Sequence, residues 1–197
     1  MAKLRQQLQQ MIAVMGEALR MFIVGDRDYH PDLAYLRSTL PPENLEWHIW
    51  ERVEIENYLL SVEGIRRLFG EPTSQLTFDE ALLGQEFEGL LESSRNAAND
   101  RLVKAFGEYG KSREEKWDPA TLSRLAREFL QKHWACERLA LADAKDIVLP
   151  GMKRWLQSRH LGQFSDKALA EVLRPEDLPQ EVRDLANRLA AFTGVQT

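Results

Sequence analysis

Two hydrophobic rhythms run along the chain, and the points where one gives way to the other outline its elements. Residues 3–19 place Leu4, Leu8, Met11, Ile12, Met15 and Leu19 at helical spacing and predict an amphipathic helix. The apolar run Met21-Phe-Ile-Val-Gly25, entered through Arg20, predicts a buried strand over 20–25. Pro31, Pro41 and Pro42 hold the next segment to a short helix and a loop. Leu45-Glu-Trp-His-Ile-Trp50 then alternates at period two, with Leu45, Trp47 and Ile49 on one side, and predicts a second strand. From Glu54 onward the spacing turns helical.

Beyond residue 70 the helical period dominates. Phe78 to about Phe106 carries Leu82, Leu83, Phe87, Leu90, Leu91 and Leu102, with Thr77 and Asp79 as candidate caps. The charged, glycine-containing stretch from Gly107 to Asp118 reads as a break. Asp118 as cap and Pro119 at the first position start a long helix running through Leu122, Leu125, Phe129, Trp134 and Leu139 to about Ala144. Pro150-Gly151 reads as punctuation. Shorter helices are expected at 152–159, 166–173 and 179–192, the last two preceded by Ser165 and Pro179. The fold class implied is α/β and helix-rich, a small parallel sheet followed by a mostly α-helical C-terminal region.

Composition acts mainly by exclusion. The 197 residues suffice for one domain with a full core, or one with a helical appendage. A net charge of -5 argues against holding nucleic acid by bulk attraction and leaves room for a local basic groove. The single Cys136 can form neither an internal disulfide nor a zinc cluster, which suits a reducing, intracellular setting. Lys3 and Arg5 precede an apolar segment broken by Gln6, Gln10, Glu17 and Arg20, so no secretory signal is read. No apolar run approaches the length of about 18 residues that a membrane span needs, and a cytoplasmic protein is expected.

The chemistry concentrates where the strands end. Asp26 and Asp28 follow the first strand one residue apart, and Glu51, Glu54 and Glu56 follow the second. Parallel neighbouring strands bring both ends to one edge, where open α/β sheets take ligands. Carboxylates gathered there repel unless a hard cation such as Mg²⁺ or Mn²⁺ neutralises them. The plainer readings are a polar turn whose acids cap a helix or pair with Arg27, and a Glu56 that complements a helix dipole. Tyr58 reads as a packed ring whose hydroxyl orders a neighbouring acid.

The strings Phe22-Ile-Val-Gly-Asp-Arg-Asp-Tyr29 and Arg52-Val-Glu-Ile-Glu-Asn-Tyr-Leu-Leu60 together resemble the TOPRIM-type nuclease domain of the OLD (overcoming lysogenization defect) family. That domain works beside an ABC/AAA-type ATPase, commonly in anti-phage defence. The resemblance implies a partial TOPRIM-like α/β core over 1–70 and a helical region over 71–197. It implies Asp26, Asp28 and Glu56 as ligands of Mg²⁺ or Mn²⁺, Glu56 also assisting catalysis, and DNA as substrate of a metal-dependent endonuclease. A weaker echo at Lys145-Asp-Ile-Val-Leu-Pro-Gly-Met-Lys-Arg-Trp155 makes Lys153 the candidate to offset phosphate charge, with Arg52 as another. The family's opening strand and glutamate have no counterpart, and Glu17 stands in the wrong place to substitute. The chain is therefore expected to be either a piece of a longer or split nuclease, or a degenerate relative serving as a partner-binding or regulatory domain for the ATPase.

Other strings carry less. Ala105-Phe-Gly-Glu-Tyr-Gly-Lys-Ser112 fits a relaxed P-loop but follows a helical pattern instead of a strand, so a helix end is expected. His133 and Cys136 have helical spacing without a completing pair and are expected in core or interface. His30 and His48 lie near the acids as turn histidines or phosphate contacts. Trp117, Trp134 and Trp155 read as core, and Lys153, Arg154, Arg159 and His160 as a solvated basic face.

Overall fold

The two short strands pair in parallel. β1 (Met21–Gly25) runs beside β2 (Leu45–Ile49) in the register Met21 to Leu45 through Gly25 to Ile49. The computed structural model describes residues 21–40, 45–69 and 79–194. The helix expected over 3–19, Pro41, Pro42 and the Thr77 cap lie outside the described residues. Between the strands runs α1 (Leu33–Ser38), capped by Asp32, whose carboxylate accepts from Tyr35 N at 2.8 Å. After β2 comes a 3₁₀ turn (Ile55–Leu59), then α2 (Val62–Phe69). The fold is α/β and helix-rich, as the two periodicities imply.

The rest of the described chain is helical: α3 (Glu80–Ser93), α4 (Arg95–Ser112), α5 (Pro119–Leu141), α6 (Leu149–Ser158), α7 (Asp166–Val172) and α8 (Gln180–Thr193). Three side-chain caps start them where expected. Asp79 accepts from Ala81 and Leu82, Asp118 from Thr121, and Ser165 from Ala168. Three expectations are corrected. The single helix over 78–106 is two, parted at the buried Ser94. α4 continues through Gly107 and Gly110, and at Gly110 the Trp117 ring packs where a Cβ would come within 2.9 Å of it. The P-loop-like string is thus the end of this helix. Pro150 and Gly151 fall in the first turn of α6, which tolerates a proline, and the bare Gly151 backbone admits the Leu90 side chain where a Cβ would stand.

The core joins both halves of the chain. Leu83, Phe87 and Leu91 of α3, Leu102 of α4, Leu130 and Trp134 of α5, and Met152 and Leu156 of α6 share one cluster with Tyr29, Val53, Leu60 and Ile65. A second cluster seats α8 on the sheet through Trp50, Tyr58 and Leu185, with Phe22 packed against it. Between them Asn57, 0% exposed, donates from Nδ2 to Leu139 O at 2.9 Å and Ala142 O at 2.8 Å. Val53 N donates to Ala140 O at 3.0 Å. The last carbonyls of α5, orphaned by helix geometry, are thereby satisfied by the segment leaving β2.

Asn57→Ala is expected to cost about 1 to 3 kcal/mol, since it strips Leu139 O of its donor and leaves Ala142 O with Ala144 N alone. Urea denaturation measures the loss; a change below about 0.5 kcal/mol would show that the amide does not hold this junction.

Candidate metal centre at the strand ends

Because β1 and β2 are parallel, the chain leaves both at one edge of the sheet. Asp28 and Tyr29 adopt φ values of 48° and 59°, a left-handed conformation that costs side-chain-bearing residues on the order of 1 kcal/mol each. The loop 26–29 alternates in direction: Asp26 and Asp28 are exposed, whereas Arg27 and Tyr29 are buried. Asp28 N donates to Val53 O at 3.1 Å and joins this loop to the one leaving β2. Arg27 turns inward and donates from Nε to His30 O and from Nη1 to Glu51 O, both at 3.0 Å. Its guanidinium is thus engaged by carbonyls, which binds the two loops together.

Asp26, Asp28 and Glu56 come into one electrostatic field. The Asp26 carboxyl is pushed above its ordinary range, first by partial burial, then by the charges of Asp28 and Glu56. The Ile55 backbone N–H and the Lys145 ammonium pull it partly back. Lys145 Nζ stands 4.0 Å from Glu56 Oε1. Lys145 sits on a π-helical turn (Ala144–Val148) started by Asp143, whose carboxylate accepts from Asp146 N at 2.9 Å. It is the cation that reading the sequence missed; only its place at the head of the segment echoing the OLD family could have marked it.

The other expected site residues are placed differently. Lys153 Nζ lies 2.7 Å from Asp166 Oδ1 and 5.4 Å from the centre of the Phe164 ring, joining α6 to the start of α7. Arg52 lies 4.8 Å over the Tyr58 ring and donates to Asn57 O. His30 is stacked against Tyr35, and its Nδ1 accepts from Asp32 N at 3.2 Å. His133 stacks on Phe129 and lies 2.7 Å from Glu137, while Cys136, expected in core or interface, is exposed.

Two buried polar groups underlie the edge. Glu54, 8% exposed, and Asp143, 2% exposed, both meet Arg101 at 2.9 Å, and Asp146 meets it at 2.5 Å. Glu54 Oε2 and the Tyr29 hydroxyl find no hydrogen-bond partner among the described residues. Burial raises the Glu54 carboxyl; Arg101 opposes this, and Asp143 and Glu56 add to it. On the sheet's other flank Glu181 of α8 accepts from Glu51 N at 2.8 Å and from the Tyr58 hydroxyl. His48 Nε2 lies 3.2 Å from Glu181 Oε1 but off the line of a hydrogen bond. Burial raises the Glu181 carboxyl and lowers His48.

Three carboxylates supply the oxygen donors a hard divalent cation prefers, beside one lysine. Among the described residues no three acidic, histidine or cysteine side chains are spaced to hold an ion as they stand. An open groove of about 560 Å³, lined by Glu92, Arg95, Asn96, Asn99 and Arg127 among others, contains none of these acids. Converging charge, more than concavity, marks the strand ends as the site. Among the described residues no helix is long and apolar enough to cross a membrane. Comparison with family models, curated proteins and solved structures finds no match for the chain.

A raised carboxyl favours the fold when protonated, and that advantage disappears as pH rises through its shifted pKa. Asp26→Asn should therefore stabilise the protein at pH 7, by roughly 0.5 kcal/mol given its exposure. The gain should shrink as pH falls toward 3.8, the carboxyl's ordinary value. Urea denaturation at a series of pH values checks this; a destabilised variant at pH 7 would show that the carboxylate is structural.

Proposed function

We propose that Asp26, Asp28 and Glu56 bind Mg²⁺ or Mn²⁺ and serve metal-dependent hydrolysis of DNA phosphodiesters. The observation carrying this reading is the parallel pairing of β1 and β2, which brings the Asp26–Asp28 loop and the Glu56 turn to one edge of the sheet; burial first, and then Asp28 and Glu56, raise the Asp26 carboxyl there. Repulsion at a solvent-facing edge lowers stability, and such costs collect where a ligand relieves them. A bound cation of this class supplies Lewis acidity toward the scissile phosphate and lowers the pKa of an attacking water.

The side chains then divide the work. Asp26 and Asp28 provide the metal-facing oxygens, and the Ile55 N–H directed at Asp26 fixes one of them. Glu56, 25% exposed at its side chain, joins them as the third ligand and is set to order a water at the rim. Lys145, 63% exposed and next to Glu56, faces solvent where a phosphate oxygen would gain charge. Lys153, paired with Asp166, takes no part in this proposal.

The resemblance to the OLD family extends the proposal to a cytoplasmic nuclease module acting on DNA with an ABC/AAA-type ATPase. A second reading, a regulatory module that keeps the acidic edge without catalysis, is favoured by the acids' spacing short of metal closure.

With Mn²⁺ present, the protein should nick supercoiled plasmid. Asp26→Ala and Asp28→Ala should abolish this, and Lys145→Met should slow it roughly 10²-fold, the scale of losing one charge-stabilising group. Lys153→Met should leave it unchanged. Undiminished nicking by a purified Asp26→Ala protein would overturn the assignment.

A further inference from the structure

Arg101 lies at mid-helix in α4, where an arginine ordinarily faces solvent, yet its guanidinium touches three carboxylates from two separate segments. Nη1 meets Glu54 Oε1 at 2.9 Å. Nη2 meets Asp143 Oδ2 at 2.9 Å and Asp146 Oδ2 at 2.5 Å. Its carbon Cζ stands 5.7 Å from the centre of the Tyr29 ring. Glu54 lies two residues before Glu56, and Asp143 and Asp146 flank Lys145. Arg101 therefore grips both segments whose next residues form the Glu56–Lys145 pair of the strand-end site.

The geometry points to Arg101 as a positioning residue, which holds the Lys145 turn against the Glu56 turn and so sets the placement of the acidic edge. This rests on the cation-binding reading above.

Three observations carry it. Glu54 and Asp143 are almost fully buried, and a buried acid without its partner is strongly unfavourable, so removing the guanidinium penalises this approach of the two segments. Only a planar fork can serve Glu54 with one nitrogen and both aspartates with the other. Glu54 Oε2 and the Tyr29 hydroxyl have no hydrogen-bond partner among the described residues, so neither supplies a substitute anchor. Outer residues that orient ligating carboxylates commonly change metal affinity or activity 10- to 100-fold when removed.

Two readouts on Arg101→Met test the proposal. Amide hydrogen exchange of residues 54–56 and 144–148 should accelerate at least about 10-fold, with exchange in α5 unaltered. Mn²⁺ affinity, followed by electron paramagnetic resonance of free Mn²⁺, should fall roughly 10-fold or more. Arg101→Lys, which keeps the charge and loses the fork, should recover part of both. Leu102→Ala, its fully buried neighbour on α4, controls for lost stability and should leave Mn²⁺ affinity unchanged. If Arg101→Met does not fold, Arg101→Lys alone carries the comparison with the wild type. Unchanged exchange at both segments overturns the positioning role, as does a Leu102→Ala protein that loses Mn²⁺ affinity equally. If the wild type binds no Mn²⁺, the cation reading fails by itself, and the exchange measurement still decides whether Arg101 holds the two turns together.

Discussion

The amide of Asn57 against the carbonyls of Leu139 and Ala142 is the contact on which the rest of this structure depends. A helix as long as α5 ends with carbonyls that need donors, and a loop leaving a strand has polar groups that need a place. Each solves the other's problem. Asn57 and Val53 are both 0% exposed, so water cannot take over either role. With this junction made, the segment carrying Glu54 and Glu56 is held between the sheet and the helical layer, and the turn after α5 brings Lys145 to the same edge.

Charge is arranged around that junction in two tiers. The inner tier finds its partners within the protein: Arg27 donates to the carbonyls of His30 and Glu51, and Glu54 and Asp143 pair with Arg101. Among the described residues the outer tier, Asp26, Asp28 and Glu56, meets Lys145, one cation beside three acids. An internal arginine could in principle have quenched the outer acids, and Arg27 stands between two of them in sequence. The left-handed turn at Asp28 and Tyr29 sends it inward instead. The repulsion at the edge is thus a consequence of how the chain is folded there, and it supports the proposal that the edge binds a cation.

How much of this is visible in the sequence depends on how local each cause is. The two strands, the caps at Asp79, Asp118 and Ser165, and the candidate acids follow from periodicity and short-range chemistry, and the structure brings Asp26, Asp28 and Glu56 into one field. Gly107 and Gly110 read as a break from composition, yet α4 runs through both to Ser112, and the bare backbone at Gly110 admits the Trp117 ring. Arg101 carries no local signal in the sequence, since its three partners lie far away along the chain. Lys145 is hidden for the same reason, and Lys153, nearer the glycine of its segment, looks the better lysine until Asp166 is seen beside it.

The central claim, that the strand-end acids exist to bind a divalent cation, is tested most directly by titrating Mn²⁺ into the purified chain and following its thermal midpoint. A cation that binds only the folded state must raise the midpoint with concentration, by about 2.7 kcal/mol in stability at a hundredfold excess over the dissociation constant. The account predicts this rise for the wild type and its loss in the paired Asp26→Asn/Asp28→Asn variant. A wild-type midpoint indifferent to millimolar Mn²⁺, or an undiminished rise in the paired variant, would contradict it.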